Sequence, residues 1–307
     1  MCSLALRSAG GTARLGEGEP VRVAFLGAVA WLDGCAPPRP TAGLSPRQFT
    51  LEPGRPAGAT IAELSAFRPH VSVVFDPLAA APDLLAALPR PSLGLLVGEQ
   101  PPGSSAVALD ALDRIASFRP ALTGEAAGSA QIWRAVPPPI NDRLFGEVRP
   151  LHRKARAMSI GRSTPHREAM LLPAKHHHDL LELVHGVTGD ALVSFLRAYD
   201  VGVYVAPTSG GGFGAQVGMH LAAGQLLLAD VLAPTHGLER NIDYLHISSP
   251  TELEWMLARL KRFPEMHQRV RVRGRLKAEQ YRSSRVFARL VHDLVADVAT
   301  FGGGPLA

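Results

Sequence analysis

The sequence predicts an α/β protein made of two halves, each built around a parallel sheet. Three observations carry that expectation. Short apolar runs alternate with helical stretches from Val21 onward, the rhythm of parallel strands joined by crossover helices. The rhythm stops at Pro137–Lys154, a proline-rich stretch followed by basic residues that reads as a linker, and then restarts. The length of 307 residues favours two cores over one, and 46% apolar residues can fill both.

The elements follow in order. Val21–Gly27, an apolar run ending in glycine, reads as the first buried strand. Gly34–Pro46, with its prolines, reads as loop. Thr60–Pro69 reads as a helix with Thr60 as N-cap and Glu63 closing a capping box. Strands are expected at His70–Asp76 and Ser92–Gly98, with a short helix at Asp83–Pro89 between them. Arg114–Phe118, Ala121–Gly124 and Gln131–Pro137 read as short strands near an edge. After the linker, Ala155–Gly161 is a strand, Asp179–Val187 is helical, and Gly189–Asp200 is a helix with Asp190 near its cap. Val201–Pro207 is a strand, followed by a glycine-rich loop, a helix through Ala223, and the strand Gln225–Asp230. Asp243–Ser248 is a strand, and Ser249 with Pro250 opens the next helix as N-cap and first helical residue. A long basic helix is expected from about Glu265 to Val298.

Composition narrows the function. The net charge of +5 is spread along the chain, which fits a phosphate-bearing small ligand better than nucleic acid. Aromatic residues are 6%, too few for a base-stacking platform. Two cysteines supply no disulfide framework and fit a reducing cytoplasm. Residues 1–20 lack the apolar core of a signal peptide and read as a disordered tail. No run is long enough to span a membrane. Arg269–Leu290 carries eight Arg or Lys. That run reads as a solvated face, with a membrane surface or protein partner as the alternative. Val286, Leu290, Leu294 and Val298 instead suit packing onto a domain.

The segment "TSGGGFGAQVGMHLAAGQLLLAD", residues 208–230, carries the chemistry. Gly210, Gly211, Gly212 and Gly214 let a backbone approach an anion. A helix starting near Phe213 would aim its N-terminal amides there. A plain flexible turn is the alternative. The same segment is a loose dinucleotide fingerprint with Asp230 ending the next strand, a weaker argument for an NAD(P)-dependent oxidoreductase. Arg162, Ser163, Thr164 and Arg167 lie just past a strand end, where open parallel sheets bind ligands. The three adjacent histidines His176–His178 would point in different directions on a helix, so no metal site is expected.

Ser159–Glu168, Gly211–Asp230 and His236–Leu257 together resemble the donor domain of GT-B glycosyltransferases of the group 1, retaining type. The resemblance covers roughly 150 residues and is most specific from Gly211 to Leu257. It implies two Rossmann-like domains facing across a cleft, with a C-terminal helix crossing back. The implied division is 21–148 for the acceptor domain and 149–307 for the donor domain. It also implies transfer of a sugar from a nucleotide diphosphate sugar, a co-substrate and not a tightly held cofactor, to an unidentified acceptor. By that likeness Gly161, Arg162, Ser163, Thr164, Arg167, Gly211, Gly212, Phe213, Gly214, His236 and Gly237 line the donor site. Arg162 matches the family's diphosphate arginine, and Arg167 or Lys175 supplies the second basic group. The family's two glutamates fall on Gly211 and Met219, so both acids are missing. Gln216 and His220 are the nearest polar groups, and Glu239 is the next glutamate. Glu99 and Asp76 are the acids at strand ends of the first half. Glu99, His220 and Glu239 are the catalytic candidates. The lost acids also leave room for an inactive relative, serving as a partner subunit or nucleotide-sugar sensor.

Overall fold

The computed structural model describes residues 5–8, 11–14, 19–41, 43–52, 54–97, 106–118, 132–151, 155–183 and 186–303. The chain divides into two compact units, Met1–Pro138 with Ser283–Ala307, and Pro139–Arg282. Among the described residues no helix is long and apolar enough to cross a membrane.

The first unit holds a six-stranded sheet. Its strands are β3 (Val21–Gly27), β4 (Leu44–Thr50), β5 (Val71–Phe75), β6 (Ser92–Leu96), β7 (Arg114–Ser117) and β8 (Arg134–Ala135). They lie in the order β4–β3–β5–β6–β7–β8, every pair parallel. Helices α1 (Val29–Cys35), α2 (Ala57–Phe67) and α3 (Pro82–Ala86) make the connections. Leu26, Val74, Leu64 and Leu85 fill one face. On the central strands Phe25 and Phe75 meet Phe287 from α9 (Ser283–Phe301), with ring centroids 4.7 and 6.1 Å from it. Arg134 pairs with Asp293 at 2.7 Å, and Arg114 with Asp297, so the last helix is fixed within this unit by charge as well as packing.

Several expectations change here. Residues 5–8 and 11–14, inside the stretch read as a tail, pair antiparallel as β1 (Ala5–Ser8) and β2 (Gly11–Arg14). The stretch read as loop contributes the end of α1 and the start of β4. Pro46 is accommodated because β4 is an edge strand, where a missing N–H costs the ladder nothing. Helix α2 starts earlier than its capping signal suggested, with Pro56 as N-cap. Thr60 is buried inside it and Glu63 pairs with Arg55 instead. Ala121–Gly124 lies outside the described residues.

The second unit is a five-stranded parallel sheet of β9 (Ala157–Ile160), β10 (Leu181–Leu183), β11 (Val201–Tyr204), β12 (Leu226–Ala229) and β13 (Leu245–His246). Its order is β10–β9–β11–β12–β13. Val201 and Val203 alternate with Gly202 and Tyr204 along β11, so the strand feeds two faces. One face packs Val201, Val203, Leu226 and Leu228 against α4 (Pro165–His178) and α7 (Pro250–Arg262). On α7 Ser249 is the N-cap and accepts the Glu252 amide at 3.1 Å. The remaining helices are α5 (Gly189–Arg197), α6 (Ala215–Ala222) and α8 (Gln268–Lys277).

Asp179–Val187 does not form the expected helix. Asp179 adopts a left-handed φ of 53°, which ends α4, and Leu181–Leu183 joins the sheet beside β9. The long basic helix is also broken. Residues Ala278–Tyr281 tighten into a 3-10 turn and Arg282 turns extended before α9 begins. The Ile140 amide donates to the Tyr281 carbonyl there at 2.7 Å, a bond a continuing helix could not make. Arg271 of the basic run is buried, donating to the carbonyls of Gly224 and Arg149.

Candidate functional site

The second unit's sheet has a switch point in its strand order. The chain leaves β9 through α4 to reach β10 on one side, then returns through α5 to reach β11 on the other. The loops after β9 and β11 therefore diverge, and this is where open α/β sheets take ligands. Those loops are residues 161–164 and 205–214, the two stretches that the sequence singled out.

The first loop is held tightly. Gly161 has φ +146°, and a Cβ there would lie 1.6 Å from the Arg167 guanidinium. Thr164 caps α4, accepting the Arg167 amide at 3.3 Å, and its hydroxyl donates to the Pro207 carbonyl at 2.9 Å. That one side chain ties the two loops together. Arg167 is buried, with Nε on the Val205 carbonyl at 2.8 Å and Nη1 on the Arg162 carbonyl at 3.1 Å. Burial lowers its pKa despite the neighbouring Tyr204, Glu182 and Asp230. It is a brace, not an open cation. Lys175 is engaged too, with Glu168 at 3.0 Å and with Glu182. Ser163 donates to Glu168. Arg162 is exposed, and among the described residues its side chain enters no ion pair.

Three amides of the glycine loop are already bonded within the protein. The amides of Gly211, Gly212 and Gly214 donate to Thr208 O, Val231 O and the Tyr204 hydroxyl at 3.2, 3.1 and 2.9 Å. Gly211 has φ +84°, and a Cβ there would lie 2.7 Å from the Val231 carbonyl. Gly214, by contrast, has φ −85° as the N-cap of α6; what its Cβ would crowd is Gln216 and the Tyr204 ring. Ala215 and Gln216 open α6, so their amides have no acceptor within the helix. Phe213 is buried edge-on against His236 and Tyr281, at 4.7 and 5.8 Å, and Tyr281 donates its hydroxyl to the His236 carbonyl. His236 and Gly237 both take positive φ in this turn, and burial depresses the His236 pKa. Phe213 and His236 thus hold two loops together.

The catalytic candidates separate. His220 is fully buried on α6, its Nδ1 2.5 Å from Gln225 Oε1, and burial pulls its pKa down to about 4. A side chain with no exposed surface touches no ligand, so His220 belongs to the core. Glu239 is exposed in the turn before β13, its amide donating to Asp243 Oδ2 at 3.0 Å. Glu99 and the preceding Gly98 lie outside the described residues. Asp76 ends β5 with φ 53°, and burial raises its pKa. Met219, at the place of the family's second acid, is buried. On α4 the three histidines diverge: His177 meets Glu254, His176 is exposed, and His178 Nδ1 is buried with no hydrogen-bond partner among the described residues.

One pair went unread in the sequence. Asp230, just past β12, accepts the Ala206 amide at 3.0 Å and lies 3.2 Å from Nε2 of His166 on α4. This use of its carboxylate leaves little for the ribose role that a dinucleotide fingerprint would give it. No local spacing signals the pair, because its members are 64 residues apart.

No family model and no curated protein matches the sequence. Solved structures do match. Sucrose-phosphate synthase from Thermosynechococcus elongatus is similar with a TM-score of 0.57 at 11% identity, over 91% of this chain and 99% of that one. Anabaena HepE in complex with UDP-glucose gives 0.56 at 10% identity, over 91% and 99%. T4 phage BGT in complex with UDP and Mn2+ gives 0.53 at 9% identity, over 88% and 99%. The chain has the GT-B glycosyltransferase fold, two Rossmann-like α/β units.

Proposed function

We propose that this protein is a glycosyltransferase whose second unit binds a nucleotide diphosphate sugar. The observation that carries the reading is an exposed Arg162, in no ion pair among the described residues, on the loop that Thr164 ties to the glycine loop at the switch point of a GT-B sheet. Structural relatives support the ligand class, since HepE holds UDP-glucose and T4 phage BGT holds UDP. In this reading the guanidinium of Arg162 and the first amides of α6 face the diphosphate. Both gain strength as the leaving group takes on charge, which is how fixed donors lower a transfer barrier. Gly161, Ser163, Thr164, Gly211, Gly212 and Gly214 shape the loops, while Arg167, Phe213, His236 and Gly237 brace them. Glu239 is kept as an acid open to an acceptor.

A second reading has its own observation. No carboxylate stands at Gly211 or Met219, and the backbone at Gly211 would crowd any side chain against Val231. A nucleotide-sugar-binding protein without transfer activity fits that arrangement. Calorimetric titration with a panel of nucleoside diphosphates and their sugars tests the shared claim. Arg162→Ala is expected to weaken binding by about 1.5–3 kcal/mol, the worth of a hydrogen bond to a charged group. Unchanged affinity in the variant would remove Arg162 from the site. Release of nucleoside diphosphate from the bound donor, with and without candidate acceptors, separates the enzyme from the binding protein.

A further inference from the structure

A diphosphate diester carries two negative charges, so a second cation beside Arg162 would strengthen its hold, and both basic residues expected there are engaged within the protein. Arg167 donates to two backbone carbonyls, and Lys175 sits between Glu168 and Glu182. A third basic group stands one residue before Arg167. His166 is the second residue of α4, whose Pro165 opens the helix. Its Nε2 lies 3.2 Å from Oδ2 of Asp230, which follows β12. Strand β11 runs between β9, which leads to His166, and β12, which leads to Asp230. The pair therefore spans the same strand ends where the two loops diverge.

The two partners differ in solvation. The Asp230 side chain is 8% exposed and that of His166 27%. A buried carboxylate holds its charge at lowest cost beside a cation. Burial pushes the Asp230 carboxyl up, while the Ala206 amide, His166 and Arg167 pull it down. Other groups about the couple are Arg167 on α4, Tyr204 at the end of β11, and His246 from β13, whose Nδ1 lies 3.3 Å from the Asp230 carbonyl. With Nε2 committed to the carboxylate, Nδ1 is the ring nitrogen left for a ligand. A neutral ring bonded in this way offers only a lone pair there, whereas an imidazolium offers a second N–H.

We propose that His166, held by Asp230, is the second cation of the nucleotide-sugar site, its imidazolium donating Nε2–H to Asp230 and Nδ1–H to a phosphate oxygen. This deepens the reading above and rests on it. Asp230 is then a positioning residue. Binding then requires the imidazolium and weakens as the ring loses its proton.

The test is calorimetry from about pH 5.5 to 8, the range in which a histidine changes charge. The probe is the tightest of UDP-, ADP- and GDP-glucose, because a diphosphate diester does not titrate there, as a terminal phosphate does with a pKa near 6. Wild-type affinity is expected to fall roughly tenfold across the range, with proton uptake visible as a buffer-dependent enthalpy. His166→Gln is expected to bind more weakly at the acid end and to lose the pH dependence. Asp230→Asn is expected to shift the fall to lower pH. Ring-nitrogen NMR of the wild type, which needs no variant to fold, is expected to show a proton on both ring nitrogens of His166 in the complex at about pH 7. A pH profile shared by wild type and His166→Gln, or a His166 ring with a single proton in the complex, overturns this assignment and leaves the site reading standing. Failure of every probe to bind at any pH overturns both.

Discussion

Gly202 on β11 leaves the space that the His220 ring fills; a Cβ there would lie 2.4 Å from the ring's Cγ. The ring is neutral in the fold because burial penalises its charge, which pulls its pKa from 6.5 to about 4. The unfolded chain therefore binds more protons between those values, and stability rises with pH across that window. Above pH 6.5 the full stability is present. As pH falls toward 4, this group alone costs on the order of 3 kcal/mol. Urea titrations at pH 7 and pH 4.5 should show a loss in wild type that His220→Gln reduces. An equal loss in both would remove His220 as the cause. Arg162 is the opposite case at this scale. It is exposed, so its replacement should leave stability within about 0.5 kcal/mol while binding falls. The sequence placed His220 near a ligand by position alone and Arg162 by its likeness to the family's diphosphate arginine; burial then separates them.

At the scale of the element, the glycine loop is a folded object with its own bonds. Its positive φ belongs to Gly211, where Val231 also stands in the way, and not to Gly214. Gly211→Ala should therefore cost on the order of 1–3 kcal/mol, measured by urea denaturation. A variant as stable as wild type would mean that the loop relaxes at no cost. The element scale also shows what was legible. Strands β3, β5, β6, β11 and β12 were readable because buried parallel strands are continuous apolar runs. Ser249 and Pro250 marked the start of α7 because a side-chain oxygen and a missing N–H both suit a first turn. Strand β4 was hidden by Pro46, β10 by a helical pattern that Asp179 interrupts, and the break before α9 by the lack of any Gly or Pro from Arg275 to Phe301. In the site, Arg162 and the glycines were legible from local spacing. The engagement of Arg167 and Lys175, and the His166–Asp230 couple, depend on partners distant in sequence.

On the scale of the whole molecule, the chain returns to its first unit at the end. Phe287 packs against Phe25 and Phe75 and is fully buried, so Phe287→Ala should destabilise the first unit by about 3–5 kcal/mol. Hydrogen exchange should show faster opening in β3 and β5 while β9, β11 and β12 keep their protection. Equal loosening of both sheets would contradict an α9 that stabilises the first unit alone. The central claim is that the carboxyl ends of the second sheet hold a nucleotide diphosphate sugar. Hydrogen exchange of the full chain, with and without a saturating nucleoside diphosphate from the binding panel, tests it most directly. Slowed exchange is expected at residues 161–168 and at the start of α6, including Ala215 and Gln216. Exchange there unchanged by a ligand that binds, with protection only elsewhere, would contradict it.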